Sequence, residues 1–197
     1  MCAGVDGAGP RLPRARRDPD HRPRPVARSR GVRGRTARIA EIGAVAGAYA
    51  ALTLLLAPAS YGPLQLRFAE ILKPLVIWEP RLIPAFVLGN FLSNLTSPYA
   101  GAWELLWMPF ANLVGSWVCW RLGRLNAYFG AAAYALIIGT AVATMLSAVL
   151  PAPFRTLAAP LVGSELILLL IGVPLMRPVH LALQRLLGEG PRTTAAR

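Results

Sequence analysis

The sequence predicts an all-α, polytopic membrane protein: a six-helix transmembrane bundle behind a disordered N-terminal tail. Three observations carry this. Hydrophobic residues fill 55% of the 197 positions and charged residues only 15%, against roughly 25% charged in soluble domains. Residues 82–103, 105–120 and 125–154 contain no Asp, Glu, Lys or Arg, and a membrane helix needs about 20 largely apolar residues. The formal net charge of +12 collects at the chain's ends: residues 1–38 hold eleven arginines against three aspartates. A nucleic-acid binder of this charge would carry a basic stripe on its folded body. Here the basic residues flank an apolar body, so no nucleic-acid partner is expected.

Each element follows from local composition. Residues 1–38 are Arg, Pro, Gly and Ala with almost no large apolar side chain, too few to offset the entropy of ordering. They read as a disordered, Arg/Pro-rich cytoplasmic tail. The transmembrane domain is expected at 39–180, with a cytoplasmic C-terminal tail at 181–197. Span 1 covers about 39–57 and stops at Pro58. Ala57-Pro58-Ala59 resembles a signal-peptidase site, but the segment before it is too long for a signal peptide, so span 1 is kept in the mature chain. A turn-rich loop at 59–67 leads to a short span 2 at 68–78, broken by Pro74. Spans 3 to 6 are expected at about 82–95, 103–120, 127–150 and 157–176, the last ending before Arg177-Pro178.

Basic residues in the connections set orientation. With the N-terminus inside, 18 of the 21 basic residues lie on the cytoplasmic side. The expectation is a multi-pass protein of the cell membrane with both termini cytoplasmic.

An ionisable residue within a span costs about 2.5–3.5 kcal/mol on insertion scales and so marks a pairing or a function. Arg67, Glu70, Lys73, Glu104 and Glu165 are such residues. Glu70 is three residues from both Arg67 and Lys73, a spacing that permits pairing on one helix face. Glu104 suits the positive end of a helix. Glu165 has only apolar neighbours in sequence, and a lone buried carboxylate needs a partner, a proton or water. In the expected topology, Arg67, Glu70, Glu104 and Glu165 fall in the outer half of the membrane. Tyr61, Gln65, Asn94, Tyr99 and Trp103 lie at the same level, with Asn112 somewhat deeper. Carboxylates, amides and rings together suit a small, flat, hydrogen-bonding ligand.

Absences narrow the function. Lys73 is the only lysine and follows Leu72, so the phosphate-binding loop of an ATPase, which ends in Gly-Lys-Ser/Thr, cannot form. Cys2 and Cys119 offer no metal site or disulfide framework, and neither His21 nor His180 accompanies a membrane nucleophile. No enzyme, cofactor or metal is expected. In span 1, Gly43, Gly47 and Ala51 recur every fourth residue with Ala44 and Ala48 in the adjacent row, a small-residue face that admits a close partner helix. Internal packing explains that face equally well.

The segment Tyr61-Gly62-Pro63-Leu64-Gln65-Leu66-Arg67-Phe68-Ala69-Glu70 resembles the YGPxQxRxxE segment of the QueT family. These are S components of energy-coupling factor (ECF) transporters for queuosine precursors. The resemblance continues through Ile83-Pro84, Leu88–Leu95 and Ser97-Pro98, resumes at Glu104, and ends with Glu165-Leu166 and Gly172–Leu175. It covers about residues 48–177. It implies a six-helix bundle whose outward pocket takes a small-molecule substrate, an ECF transmembrane subunit docked on the small face of span 1, and two ATPase subunits. Glu104 stands where the family tends to have Asp, Lys73-Pro74 where Leu or Thr is common, and Met108-Pro109 where Gly-Ser is common. Two further readings remain from the residues: a stand-alone secondary transporter whose acids carry protons, and a non-transporting assembly subunit whose acids join helices.

Overall fold

The computed structural model describes residues 29–62 and 65–186, with side chains from residue 34 onward. Among them are helices and turns but no strand. Helix α1 spans Ser29–Leu55 and α2 is a single turn at Ala57–Ser60. A 3-10 helix, Phe68–Ile77, and a 3-10 turn, Pro80–Leu82, lead into α3, Ile83–Asn94. A π turn, Trp103–Trp107, runs into α4, Met108–Gly123, followed by α5, Ala127–Val149, and α6, Phe154–Leu186. Among the described residues, three helices are long and apolar enough to cross a membrane: Gly34–Leu55, Ala127–Val149 and Phe154–Arg185.

Several elements depart from expectation. Helix α1 begins at Ser29, ten residues before the expected span, so residues 29–38 are helical where disorder was expected. Arginine is a good helix former, and a helix already fixed by its span extends at little cost. The expected tail at 1–28 lies outside the described residues. Span 2 is a ten-residue 3-10 helix with Pro74 inside it. At about 2 Å of rise per residue it covers roughly 20 Å, more than an α-helix of equal length.

Span 4 opens as a π turn because of Pro109. A proline ring clashes with the carbonyl four residues earlier, and the wider turn, closed by the Met108 N–H donating to the Trp103 carbonyl, gives that ring room. Helix α6 does not stop before Arg177-Pro178. It continues through Pro160, Pro174 and Pro178 to Leu186, taking in six residues of the expected C-terminal tail. Packed neighbours tolerate prolines in such helices.

Helix α5 is central, packing against α4 on one side and α6 on the other. Its first turn is capped by Asn126, whose side-chain oxygen accepts from the Tyr128 and Phe129 N–H groups at 2.8 and 3.4 Å. The α5–α6 contact closes at Gly139, where a Cβ would meet the Val162 Cα at 2.6 Å. The 3-10 helix lies against α6 at Gly172, where a Cβ would meet the Ile71 carbonyl oxygen at 2.5 Å. The distribution of polarity is that of a membrane protein. Leu106, Phe110, Trp117, Phe129, Leu136, Ile167 and Ile171 face outward, while Arg67, Glu70, Lys73, Glu104 and Glu165 are buried.

A buried polar cluster

Five elements converge on one buried cluster of charged and amide side chains. It has two parts. In the first, Arg67 pairs with Glu104, Nη2 to Oε1 at 3.2 Å, both fully buried. The guanidinium also lies 5.3 Å from the Tyr61 ring centroid. Tyr61 is held by its hydroxyl, which donates to the Ser93 carbonyl at 2.6 Å. The Asn94 amide donates to the Asn90 side-chain oxygen at 3.3 Å and the Glu104 carbonyl at 3.4 Å. Gln65 sits in the loop before the 3-10 helix at φ 44°, the left-handed region. That backbone costs a non-glycine residue about 1–3 kcal/mol and tends to occur at functional positions.

In the second part, the Lys73 ammonium pairs with Glu70 Oε2 at 2.7 Å and donates to Asn112 Oδ1. The Tyr49 hydroxyl donates to Glu70 Oε1 at 2.6 Å, and the Tyr134 hydroxyl to Asn112 Oδ1 at 2.6 Å. The Asn112 amide nitrogen donates in turn to the Met108 carbonyl at 2.9 Å, which fixes the orientation of that amide. Lys73 Nζ lies 5.1 Å from the Tyr49 ring centroid and 4.9 Å from that of Tyr134. Glu165, 3% exposed on α6, lies in electrostatic reach of Glu70, Lys73 and Arg67 and so connects the two parts.

The two parts differ in how fully they are paired. Buried polar groups are normally hydrogen-bonded. Here Gln65 Oε1 and Nε2, Arg67 Nε, Asn90 Nδ2, Asn94 Oδ1, Glu104 Oε2 and Glu165 Oε2 have no hydrogen-bond partner among the described residues. The set holds both donors and acceptors, so it can meet the edge of a flat ligand that also carries both.

Of the residues read from the sequence, Tyr61, Gln65, Arg67, Glu70, Asn94, Glu104 and Glu165 come together here. Trp103 does not. It is 48% exposed, packs edge-to-face on Trp107, and with Leu106 and Phe110 lines a hollow on the outer surface of the bundle. The π turn that buries Glu104 rotates its neighbour outward. The pairing of Arg67 with Glu70 permitted by their spacing is not made either: the kinked loop at Gln65 turns Arg67 towards α4.

Tyr49, Asn90 and Tyr134 were not foreseen. Tyr49 and Tyr134 each stand among small residues within a span, Gly47-Ala48-Tyr49-Ala50 and Ala132-Ala133-Tyr134-Ala135, away from the membrane edge where tyrosine is ordinarily found. That position was the available signal. A further paired group lies apart from the cluster. His180 Nδ1 is 2.8 Å from Glu79 Oε1, Arg81 Nε is 3.0 Å from Glu79 Oε2, and Arg81 Nη2 is 3.4 Å from Glu41 Oε1. Trp78 stacks on the His180 ring. This group joins α1, the turn after the 3-10 helix, and α6.

Along α1, Gly43, Ala44, Gly47, Ala48 and Ala51 are exposed, and a Cβ at Gly43 or Gly47 would touch nothing within 4 Å. A family model described as the QueT transporter matches residues 39–180. No curated protein and no solved structure matches the chain.

Proposed function

We propose, for a chain that belongs to the QueT transporter family, that the buried cluster is the site that captures a queuosine precursor or a closely related flat molecule. The chain is the substrate-binding membrane subunit, the S component, of an ECF-type importer, and not an enzyme. The observation that carries the site is the set of unpartnered buried polar atoms on Gln65, Arg67, Asn90, Asn94, Glu104 and Glu165. Leaving such atoms unpaired costs about 1–3 kcal/mol each, and a ligand that pairs them gains that free energy back. Glu104 Oε2, Glu165 Oε2 and Asn94 Oδ1 take N–H donors, Asn90 Nδ2 donates, Gln65 reads both donor and acceptor edges, and the Tyr61 ring covers a face. Glu70 shapes the floor, since both its oxygens are engaged by Tyr49 and Lys73.

Such subunits work with an ECF module. In the proposed complex, one transmembrane subunit packs on the exposed Gly43, Ala44, Gly47, Ala48 and Ala51 face of α1, and two ATPase subunits hydrolyse ATP. The protein is multi-pass in the cell membrane, with both termini cytoplasmic and the cluster in the outer half. A Gly47→Leu variant is expected to bind ligand as the wild type does and to lose co-purification with the transmembrane subunit. Ligand binding lost together with co-purification would count against a separate docking face.

The site is tested by the stability of the detergent-purified chain against deazaguanines, purines and water-soluble vitamins. A ligand at about 100 times its dissociation constant adds roughly 2.7 kcal/mol. A stabilising deazaguanine whose effect vanishes in Glu165→Gln supports the reading. A folded wild type that responds to none of the panel overturns it.

A further inference from the structure

We propose that Lys73 occupies, from within the chain, a site built for an organic ammonium, and thereby bars the transported molecule from placing a cationic group at the deep end of the pocket. The inference rests on the ligand-binding reading of the cluster. It begins with the surroundings of the Lys73 amine, which is 1% exposed. Two aromatic rings, Tyr49 and Tyr134, lie about 5 Å from the nitrogen. A carboxylate, Glu70, is at 2.7 Å and an amide oxygen, that of Asn112, accepts from it. Rings, a carboxylate and a carbonyl oxygen are the groups with which proteins recognise ammonium ligands. Four separate elements supply them: α1, the 3-10 helix, α4 and α5.

The surroundings of Lys73 are those of an ammonium in its own site. An ammonium has three protons. Glu70 and Asn112 oxygens stand at the nitrogen for two of them, and the two rings flank it. The Asn112 oxygen in turn is committed to Lys73 and Tyr134, and its nitrogen donates to Met108. Most of the unpartnered atoms of the cluster lie on other residues, Glu165, Glu104, Gln65, Asn90 and Asn94. The ligand therefore meets N–H acceptors and amides, while the one position shaped for an ammonium is already filled. Removing the Lys73 side chain beyond Cβ leaves room for a primary ammonium with three carbons, next to a Glu70 carboxylate that then lacks its cation.

The experiment uses the full chain in detergent, as wild type and as Lys73→Ala. n-Propylammonium, the missing part of the side chain, is expected to stabilise Lys73→Ala at millimolar concentration and not the wild type; 1-propanol is expected to do neither. Two deazaguanines are then compared, one bearing an uncharged nitrile and one a protonated aminomethyl group. The ratio of their affinities is expected to move at least tenfold towards the aminomethyl compound in Lys73→Ala, about 1.4 kcal/mol. If Lys73→Ala does not fold alone, it is purified in n-propylammonium, which is expected to restore a folded protein where 1-propanol does not; a variant that propylammonium fails to restore overturns the proposal. An unchanged ratio, or no response of Lys73→Ala to propylammonium, overturns the proposal. If the folded wild type binds neither compound, the capture reading itself fails and this inference falls with it. A wild type that binds the nitrile compound with no shift in the variant overturns the inference alone.

Discussion

The two parts of the buried cluster share a chemistry but differ in completeness. Around Lys73 most inward polar atoms meet a partner: Glu70 takes Tyr49 and the charge of Lys73, and Asn112 takes Lys73 and Tyr134. Glu70 Oε2, held by its ion pair, and Ser116 Oγ have no hydrogen bond among the described residues. Around Arg67, six polar atoms on five residues have none among the described residues, and Glu165 Oε2, between the two parts, has none either. The same protein that pairs most of one group leaves most of its neighbour open. A poorly optimised interior would spread its unpaired groups evenly over both. Their concentration beside a strained loop is what a recognition surface next to a structural floor requires.

The sharpest way to break this comparison is to treat the floor as if it were the site. Removing one member of a buried ion pair leaves the other charged and desolvated, at a cost of about 3–5 kcal/mol. Lys73→Met is expected to lose stability on that scale in chemical unfolding. Glu70→Gln with Lys73→Met is expected to recover most of it, because replacing a buried pair by neutral groups is often harmless. If the single variant is as stable as the wild type, the Lys73 group is not a structural floor and the contrast collapses.

The open side responds in the opposite sense. Glu165 carries a buried oxygen without a partner, so Glu165→Gln removes an unmatched carboxylate and leaves the fold as stable as before or more so. A hydrogen bond to a charged group contributes about 1.5–3 kcal/mol, so ligand affinity is expected to fall roughly ten- to a hundredfold. Isothermal titration alongside unfolding separates the two readouts. A stability loss equal to that of Lys73→Met would place Glu165 with the floor.

The six-segment helical bundle was legible in the charge-free stretches, and the acids in the cluster were legible because a carboxylate within an apolar span is costly. What could not be read was pairing. The spacing of Arg67, Glu70 and Lys73 allowed two local pairs, and only the backbone turn at Gln65 decides that Glu70 takes Lys73 while Arg67 crosses to Glu104. Trp103 was misplaced because consecutive residues of a helical turn point to different faces: with Glu104 turned inward, its neighbour Trp103 is left facing out. The helical residues 29–38 were missed because their composition lacks a core-facing stripe, while their order is inherited from the span that follows.

Gln65 gives the finest test, because its backbone and side chain separate. Both side-chain polar atoms are buried without a partner, and its backbone sits at φ 44°. Glycine adopts that region without the steric cost that other residues bear. Gln65→Gly therefore removes no hydrogen bond within the chain and relieves backbone strain, so stability is expected to hold or rise by about 1 kcal/mol. If the amide reads the ligand, affinity falls about tenfold, the value of one neutral hydrogen bond at the upper end of its range. A more stable protein that binds less well is the signature of strain kept for recognition. A more stable protein with unchanged affinity would move Gln65 out of the site and leave its left-handed backbone as a feature of the loop alone.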